Sequence, residues 1–417
     1  MKVYINPGKE EITAAISRPG LDFKSLKKVI KPIFKSVKTR GDKALIRFAF
    51  EYDHAELTSL VVTEEEIKQA ENAISSELKK AIAVAIKNIE KFHLAQVQKE
   101  ISMETMKGVR CMRRSVPIEK VGLYVPGGTA PLFSTVLMLG IPARIAGCRE
   151  IVLCTPPDIN GKIHPAILFA ANAVGIHKVI KAGGAQAIAS MAYGTESVPK
   201  VYKIFGPGNQ YVTAAKQYIS QRGTAIDMPA GPSEVAVYAD ETAIPEFVAS
   251  DLLSQAEHGV DSQVLLVSTS VDVVKRCLAA LESQLEVLSR KRIAEQSLEK
   301  SAAIVVKTEK EAINLLNEYA AEHLILSVSN PEKVADAILN AGSIFLGNFT
   351  PESVGDYASG TNHTLPTNRA ALAYSGVSVD SFVKKITYQK LTEEGIKNIG
   401  PTVETMAEAE HLTAHKN

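Results

Sequence analysis

The feature that most constrains this chain is an alternation that begins near residue 120. Short β-rich runs, "KVGLYV", "EIVLCT", "HKVIKAG" and "KVYKIFG", are separated by helical stretches such as "HPAILFAANAVG". A second series follows: "SEVAVYAD", "SQVLLVSTS", "AAIVVKT", "HLILSV" and "GSIFLG". Strands that alternate with helices build a parallel sheet covered on both faces. The spacing therefore predicts two doubly wound, Rossmann-like α/β units side by side, facing a cleft. At 417 residues the chain exceeds what one hydrophobic core usually spans, which agrees with that division. Open α/β sheets bind ligands beyond the carboxyl ends of their strands, so the loops after the strands are where chemistry is expected.

Before residue 120 the reading is mostly helical. "DFKSLKKVIKPIFKSVKTRGDKALIRFAFEYD" predicts two helices broken at Gly41. "TEEEIKQAENAISSELKKAIAVAIKNIEKFHLAQ" opens on a capping box, Thr63 with Glu66, and keeps helical spacing. "ISMETMKGVRCMRRSVPI" reads as a β-hairpin turning at Lys107-Gly108. After about 378 the chain reads as helical and charged.

Composition excludes several classes of function. Lys and Arg number 47 against 46 Asp and Glu, so the basic excess of a nucleic-acid binder is missing. No apolar run approaches the length of a membrane span. The start, "MKVYINPGKEEITAA", mixes both charges and has no apolar leader. The four cysteines, at 111, 148, 154 and 277, form no CxxC pair. A cytoplasmic protein with reduced, buried thiols is expected.

Three glycine-rich loops follow strands of the first unit: "VPGGTAP" (125–131), "AGGAQAIA" (182–189) and "GPGNQYV" (206–212). Backbone N–H groups at a helix start suit a phosphate. None of the loops matches GxGxxG, since Tyr211 replaces the third glycine of the last. Singly each is a tight turn; together, on one sheet edge, a nucleotide site and a set of turns are equally good readings.

Polar residues cluster at element ends in the second unit. "SQAEHG" places Gln255 and His258 three apart, on one helix face. "YAAEHLIL" sets Glu322 and His323 at a helix-to-strand junction. "SVGDYASGTNHTLPT" reads as a loop holding Asp356 and His363, and "AEHLTAHKN" ends the chain with Glu410, His411 and His415. Histidine, carboxylate and an amide oxygen are acceptable zinc ligands, but spacing alone does not show that they converge. No HExxH occurs, which argues against a helix-borne protease-type zinc site.

At this point eight ordered stretches match a known family. "VGLYVPGGTAP", "AGGAQAIA", "GPGNQYV", "DMPAGPSE", "SQAEHG", "AEHL", "VGDYASGTNHTLPT" and "LTAHKN" resemble histidinol dehydrogenases over essentially the whole length. The resemblance implies an aldehyde-dehydrogenase-like fold class and oxidation of L-histidinol to L-histidine, the last steps of histidine biosynthesis. Two NAD-dependent steps through L-histidinaldehyde and one zinc per site are implied. By the same resemblance Gln255, His258, Asp356 and His415 bind zinc, and also contact substrate. Glu322 and His323 carry the acid/base chemistry, His323 touching substrate as well. Ser233, Glu410 and His363 resemble substrate-pocket residues, and Tyr124, Gln186 and Asn209 resemble the NAD contacts.

The implied assembly is an intertwined homodimer whose tail completes the partner's site. The implied organisation has an N-terminal segment (1–21) and a first α/β domain with the metal and catalytic residues (22–122 plus 235–377). A second α/β domain carries the NAD loops (123–234), and a helical C-terminal tail follows (378–417). Position 411 carries His where the family usually has glycine, and "LTAHKN" favours His415 over His411 as the ligand.

Overall fold

The computed structural model describes residues 1–18, 22–127, 130–228 and 231–417. Residues 19–21 of the expected N-terminal segment, Gly128 and Thr129 of the first glycine loop, and Pro229 and Ala230 of "DMPAGPSE" lie outside the described residues.

Two parallel sheets organise the molecule. The first has five strands, in the spatial order Lys178–Lys181, Glu150–Thr155, Lys120–Tyr124, Lys203–Phe205, Ala225–Ile226. The second has six, in the order Lys2–Ile5, Ala302–Val305, Gln263–Ser268, Glu234–Ala239, His323–Ser327, Ser343–Leu346. Each strand run is apolar because both faces are covered. In the first sheet Leu123 and Leu153 face one core while Tyr124, Cys154 and Ile204 face another. In the second, Val235 and Val237 face one core and Ala236 and Tyr238 the other.

Apart from the edge strand Lys2–Ile5, the chain enters each sheet near its middle, builds outward to one side, then crosses to the other. In the five-stranded sheet that reversal separates Lys120–Tyr124 from Lys203–Phe205. A reversal of this kind leaves a crevice at the strands' carboxyl ends. Two of the three glycine loops, after Tyr124 and after Phe205, flank it. The next strand along the chain, Glu234–Ala239, belongs to the six-stranded sheet.

The helices before residue 95 depart from the expected grouping with 235–377. Helix Phe23–Arg40 buries Leu26, Ile30, Ile33, Phe34 and Val37, one stripe at helical spacing. That stripe shares a core with Ile180 of the five-stranded sheet, Ala185 and Ile188 of helix Gly184–Tyr193 and Ile219 of helix Gln210–Ser220. Each such large side chain contributes about 1.5–3 kcal/mol by leaving water, which fixes where these helices belong. Helix Ser76–Leu94 joins the other face of the same sheet through Ile82, Ala85 and Ile89.

Several local readings hold. The break at Gly41 separates Phe23–Arg40 from Asp42–Asp53, and the Thr63–Glu66 capping box is formed. A second cap, Ser75, accepts from Leu78 N–H and splits the following stretch into two helices. The hairpin Ile101–Met106 with Val109–Pro117 is present. Its third strand, Val383–Leu391, lies inside the tail read as helical. Helices Glu393–Ala409 and Thr413–Lys416 follow it. His411 sits between them at φ +59°, a left-handed turn where glycine costs least. The N-terminal segment contributes the edge strand Lys2–Ile5, paired with Ala302–Val305. Among the described residues no helix is long and apolar enough to cross a membrane.

Candidate active site

The residues converge at the amino ends of two neighbouring strands of the six-stranded sheet, not at carboxyl ends as expected. The reason is local. Helix Glu309–Tyr319 ends in a left-handed residue, Ala320 at φ +50°. The chain reverses there and delivers Glu322 and His323 at the head of strand His323–Ser327. Beside them strand Glu234–Ala239 begins, in parallel register with His323 opposite Val235.

The peptide of Glu234 holds both side chains. Its N–H donates to Glu322 Oε2 at 2.9 Å. Its carbonyl lies 3.3 Å from His323 Nδ1, so it accepts the Nδ1 proton. That leaves His323 Nε2 pointing elsewhere, towards Asp356 Oδ1 at 3.4 Å. The approach lacks the alignment of a hydrogen bond. His323 Nε2 and Asp356 Oδ1 are both buried without a hydrogen-bond partner among the described residues.

Asp356 lies on a short helix, Glu352–Tyr357, rather than in a loop. One turn earlier on the same face sits Glu352, a residue the sequence reading missed. Its carboxylate is 3.8 Å from His323 Nδ1 and only 1% exposed. His323, Glu352 and Asp356 can each offer a ligand atom within 4.8 Å of the others. Gln255, fully buried at the end of helix Pro245–Ala256, abuts Glu352 Oε1. With its amide nitrogen on that side it donates to Glu352, and its oxygen accepts from Glu234 N–H at 3.2 Å. With its oxygen on that side two acceptors face each other.

This crowding of carboxylates sets the protonation states. Burial opposes the charged form of His323, but Glu352, Glu322 and Asp356 outweigh it and hold its pKa up at about 10. Burial pushes Glu322 up to about 8, with His323 pulling it back. Burial likewise raises Glu352. Asp356 is also desolvated, yet its contact with His323 keeps it below the ordinary carboxylate value. Burial lowers His258 and His363 below the ordinary histidine value, with Asp356 opposing.

His363 ties the two sheets' surroundings together. Its Nδ1–H donates to the Asp356 carbonyl at 2.8 Å, and its Nε2 meets Thr135 Oγ1 at 3.1 Å. Thr135 belongs to the helix that follows strand Lys120–Tyr124. Ser233 precedes Glu234 and is half-buried. Glu410 and His415 are not brought to this cluster within one chain. Both are exposed on the tail, whose contacts are with the hairpin, such as Asn398 Nδ2 donating to Lys107 O.

Tyr124, Gln186 and Asn209 lie on the glycine loops of the other sheet. Tyr124 is buried, and its hydroxyl accepts from Gly184 N–H at 3.1 Å. Gln186 is buried in the first turn of helix Gly184–Tyr193. Asn209 caps helix Gln210–Ser220, its Oδ1 accepting from Tyr211 and Val212 N–H. The loop of Gly206 is clamped from below. Its N–H donates to Asp227 Oδ2 and its carbonyl accepts from Lys216 Nζ, both at 2.8 Å, and Lys216 and Asp227 form a buried ion pair.

A cysteine nucleophile finds no support here. Burial pushes the Cys148 and Cys154 thiols up to about 12 and Cys277 up to about 11, far from thiolate at neutral pH.

The family model described as histidinol dehydrogenase matches residues 16–417. The chain belongs to the histidinol dehydrogenase family. It is 60% identical to the histidinol dehydrogenase of Bacteroides thetaiotaomicron, over all of this chain and 97% of that protein. It is 51% identical to the histidinol dehydrogenase of Escherichia coli O6:H1, over 98% of this chain and 94% of that protein. The crystal structure of histidinol dehydrogenase from Elizabethkingia anophelis superposes with a TM-score of 0.97 at 56% identity. It covers all of this chain, and this chain covers 96% of it. As a histidinol dehydrogenase family member the chain is an oxidoreductase, and its parallel sheets and helical tail are those of a solved member.

Proposed function

We propose that the chain is a zinc-dependent L-histidinol dehydrogenase that oxidises L-histidinol to L-histidine through L-histidinaldehyde, with two NAD+. The observation that carries this is the buried Glu322–His323 pair, fixed by one peptide and facing the orphaned Asp356 Oδ1. An acid/base pair beside a buried carboxylate oxygen without a hydrogen-bond partner suits a proton-transferring, cation-holding site.

Gln255, His258, Asp356 and His415 are the proposed zinc ligands. The fit rests on Asp356 Oδ1, which is buried without a hydrogen-bond partner among the described residues. His258, with its pKa held down, is in the neutral form a metal needs. Bound there, zinc would supply a fixed positive charge that holds nitrogen ligands of the substrate and offsets the surrounding carboxylates.

The chain's own residues then divide the work. The surrounding carboxylates hold His323 protonated, so it can take the alcohol proton at Nε2, with its Nδ1–H held by Glu234, only where a bound cation would offset those carboxylates and free that nitrogen. Glu322, in its ionised form, which burial confines to the alkaline side of neutrality, removes a proton from water, which adds to the aldehyde carbon before the second hydride departs. Ser233, His363 and Glu410 line the substrate, with Gln255, His258, His323, Asp356 and His415. Tyr124, Gln186 and Asn209 would hold NAD, which when bound would accept the hydride. Glu410 and His415 reach the site from a second copy. The tail leaves Ile396, Val403, Met406 and Leu412 exposed, an apolar face suited to burial in a homodimer. Histidine biosynthesis in the cytoplasm is the proposed setting.

The test is NADH formed per histidinol consumed, with and without a chelator. Two per histidinol, lost on chelation with the fold retained, is expected. No absorbance rise with zinc present sinks the reading.

A further inference from the structure

We propose that Glu234 is a positioning residue for Glu322 and His323, held in register by Arg18; this rests on the dehydrogenase reading above. The main chain of Glu234 is the shared support of the pair, through its N–H to Glu322 and its carbonyl to His323. Its side chain is fixed just as fully. Arg18 Nε and Nη2 donate to its two carboxylate oxygens at 2.5 and 2.7 Å, and Asn368 N–H donates to Oε1 at 2.8 Å. The ion pair is buried, with side chains 7% and 3% exposed.

Arg18 also reaches the other arm of the site. Its Nη2 donates to the Tyr319 carbonyl at 2.7 Å, and its guanidinium lies 4.0 Å over the Tyr319 ring. Tyr319 ends the helix, and Glu322 follows three residues later. One guanidinium therefore fastens both segments from which the pair hangs. Gln263 closes the ring, its Oε1 accepting from the Tyr319 hydroxyl and its Nε2 donating to the Ser17 carbonyl, both at 3.0 Å.

An apolar pair of similar size would keep the fold at least as well, because burying two charges costs much of what their attraction returns. What the arginine fork adds is direction: two parallel bonds that a lysine cannot reproduce. Direction matters here, since a shift of about 1 Å in a reacting group costs on the order of a hundredfold in rate.

The test uses the full chain with two variants that leave no single buried charge behind, Arg18→Lys and the double variant Arg18→Met/Glu234→Gln. Thermal unfolding, KM for histidinol and for NAD, and kcat per folded chain are measured. The expected result is folded protein, both KM values within about threefold, and kcat lower by about tenfold for Arg18→Lys and about a hundredfold for the double variant. A merely structural pair would lower the folded fraction without changing kcat per folded chain. Unchanged kcat in folded variants, a loss confined to KM, or variants unfolded at the assay temperature overturns the inference. A wild-type chain inactive on histidinol sinks the dehydrogenase reading, and the inference with it.

Discussion

Replacing Gly206 by alanine tests the crevice of the five-stranded sheet most directly. Gly206 has φ +122°, and a Cβ there would lie 2.0 Å from the Tyr124 carbonyl oxygen and 3.0 Å from its carbon. The backbone cannot pivot away, because Asp227 and Lys216 hold its N–H and its carbonyl. The conformational strain is about 1–3 kcal/mol. Relieving an overlap of more than about 1 Å against main chain adds about 1–3 kcal/mol. Together, at about 2–6 kcal/mol, they lower the unfolding midpoint by roughly 4–24 °C, at about 2–4 °C per kcal/mol. The displaced atom belongs to Tyr124, so KM for NAD should rise on the order of tenfold, with KM for histidinol little changed. Gly175 is the control: its φ is +80° but nothing lies within 4 Å of an added Cβ. Gly175→Ala should carry the strain alone and leave both KM values alone. Thermal unfolding and initial rates on the two variants decide the matter. Equal midpoints for Gly206→Ala and Gly175→Ala, or an unmoved KM for NAD, would refute the argument.

Asp251 is buried and its pKa is pushed up to about 6 by burial, so its stabilising protonated form is lost as pH rises from about 4 through 6. Asp251→Asn should therefore stabilise the fold by up to about 3 kcal/mol at pH 8 and leave it unchanged at pH 3.5, read by denaturant unfolding. Glu352→Gln removes the carboxylate against which Gln255 and His323 are set, and should weaken zinc binding on the order of ten- to a hundredfold, measured by competition with a chelating dye. Mixing His258→Ala with His415→Ala chains should restore activity, because the two lesions can fall in different sites and leave one intact; hybrids that stay inactive refute a site shared between copies.

Much of the fold was legible because parallel strands covered on both faces read as apolar runs. "EVAVYA", "QVLLVS" and "HLILS" are buried along their whole length. The junction at Glu322-His323 was legible for the same reason, since a helix pattern stops where a strand pattern starts. Other features left no local signal. Glu234 and Arg18 are 216 positions apart, and nothing near either marks the pairing. Glu352 could have been found by its spacing of four from Asp356, had "ESVGDY" been read as a helix. Strand Val383–Leu391 is exposed on almost every residue and rich in lysine, so its pattern carries no buried face. The helices before residue 95 have clear apolar stripes, but a stripe does not say which sheet it meets. The amino-end placement of the site also ran against the general rule, because the turn at Ala320 sets it.

The edge strand Lys2–Ile5 pairs with Ala302–Val305, 300 positions further along. During synthesis at roughly 5–20 residues per second, it waits about 15–60 s for that partner to emerge. The five-stranded sheet takes all its strands from residues up to 226, so they can pair while the ribosome is still working, but Val377 and Phe382 close one of its cores only later. Arg18 must wait as well, because Glu234 and Tyr319 are made later. A nascent chain of this protein therefore pairs the strands of one sheet long before Glu322 and His323 at the head of the other can be locked, and the peptide that holds them is among the last features the growing polypeptide acquires.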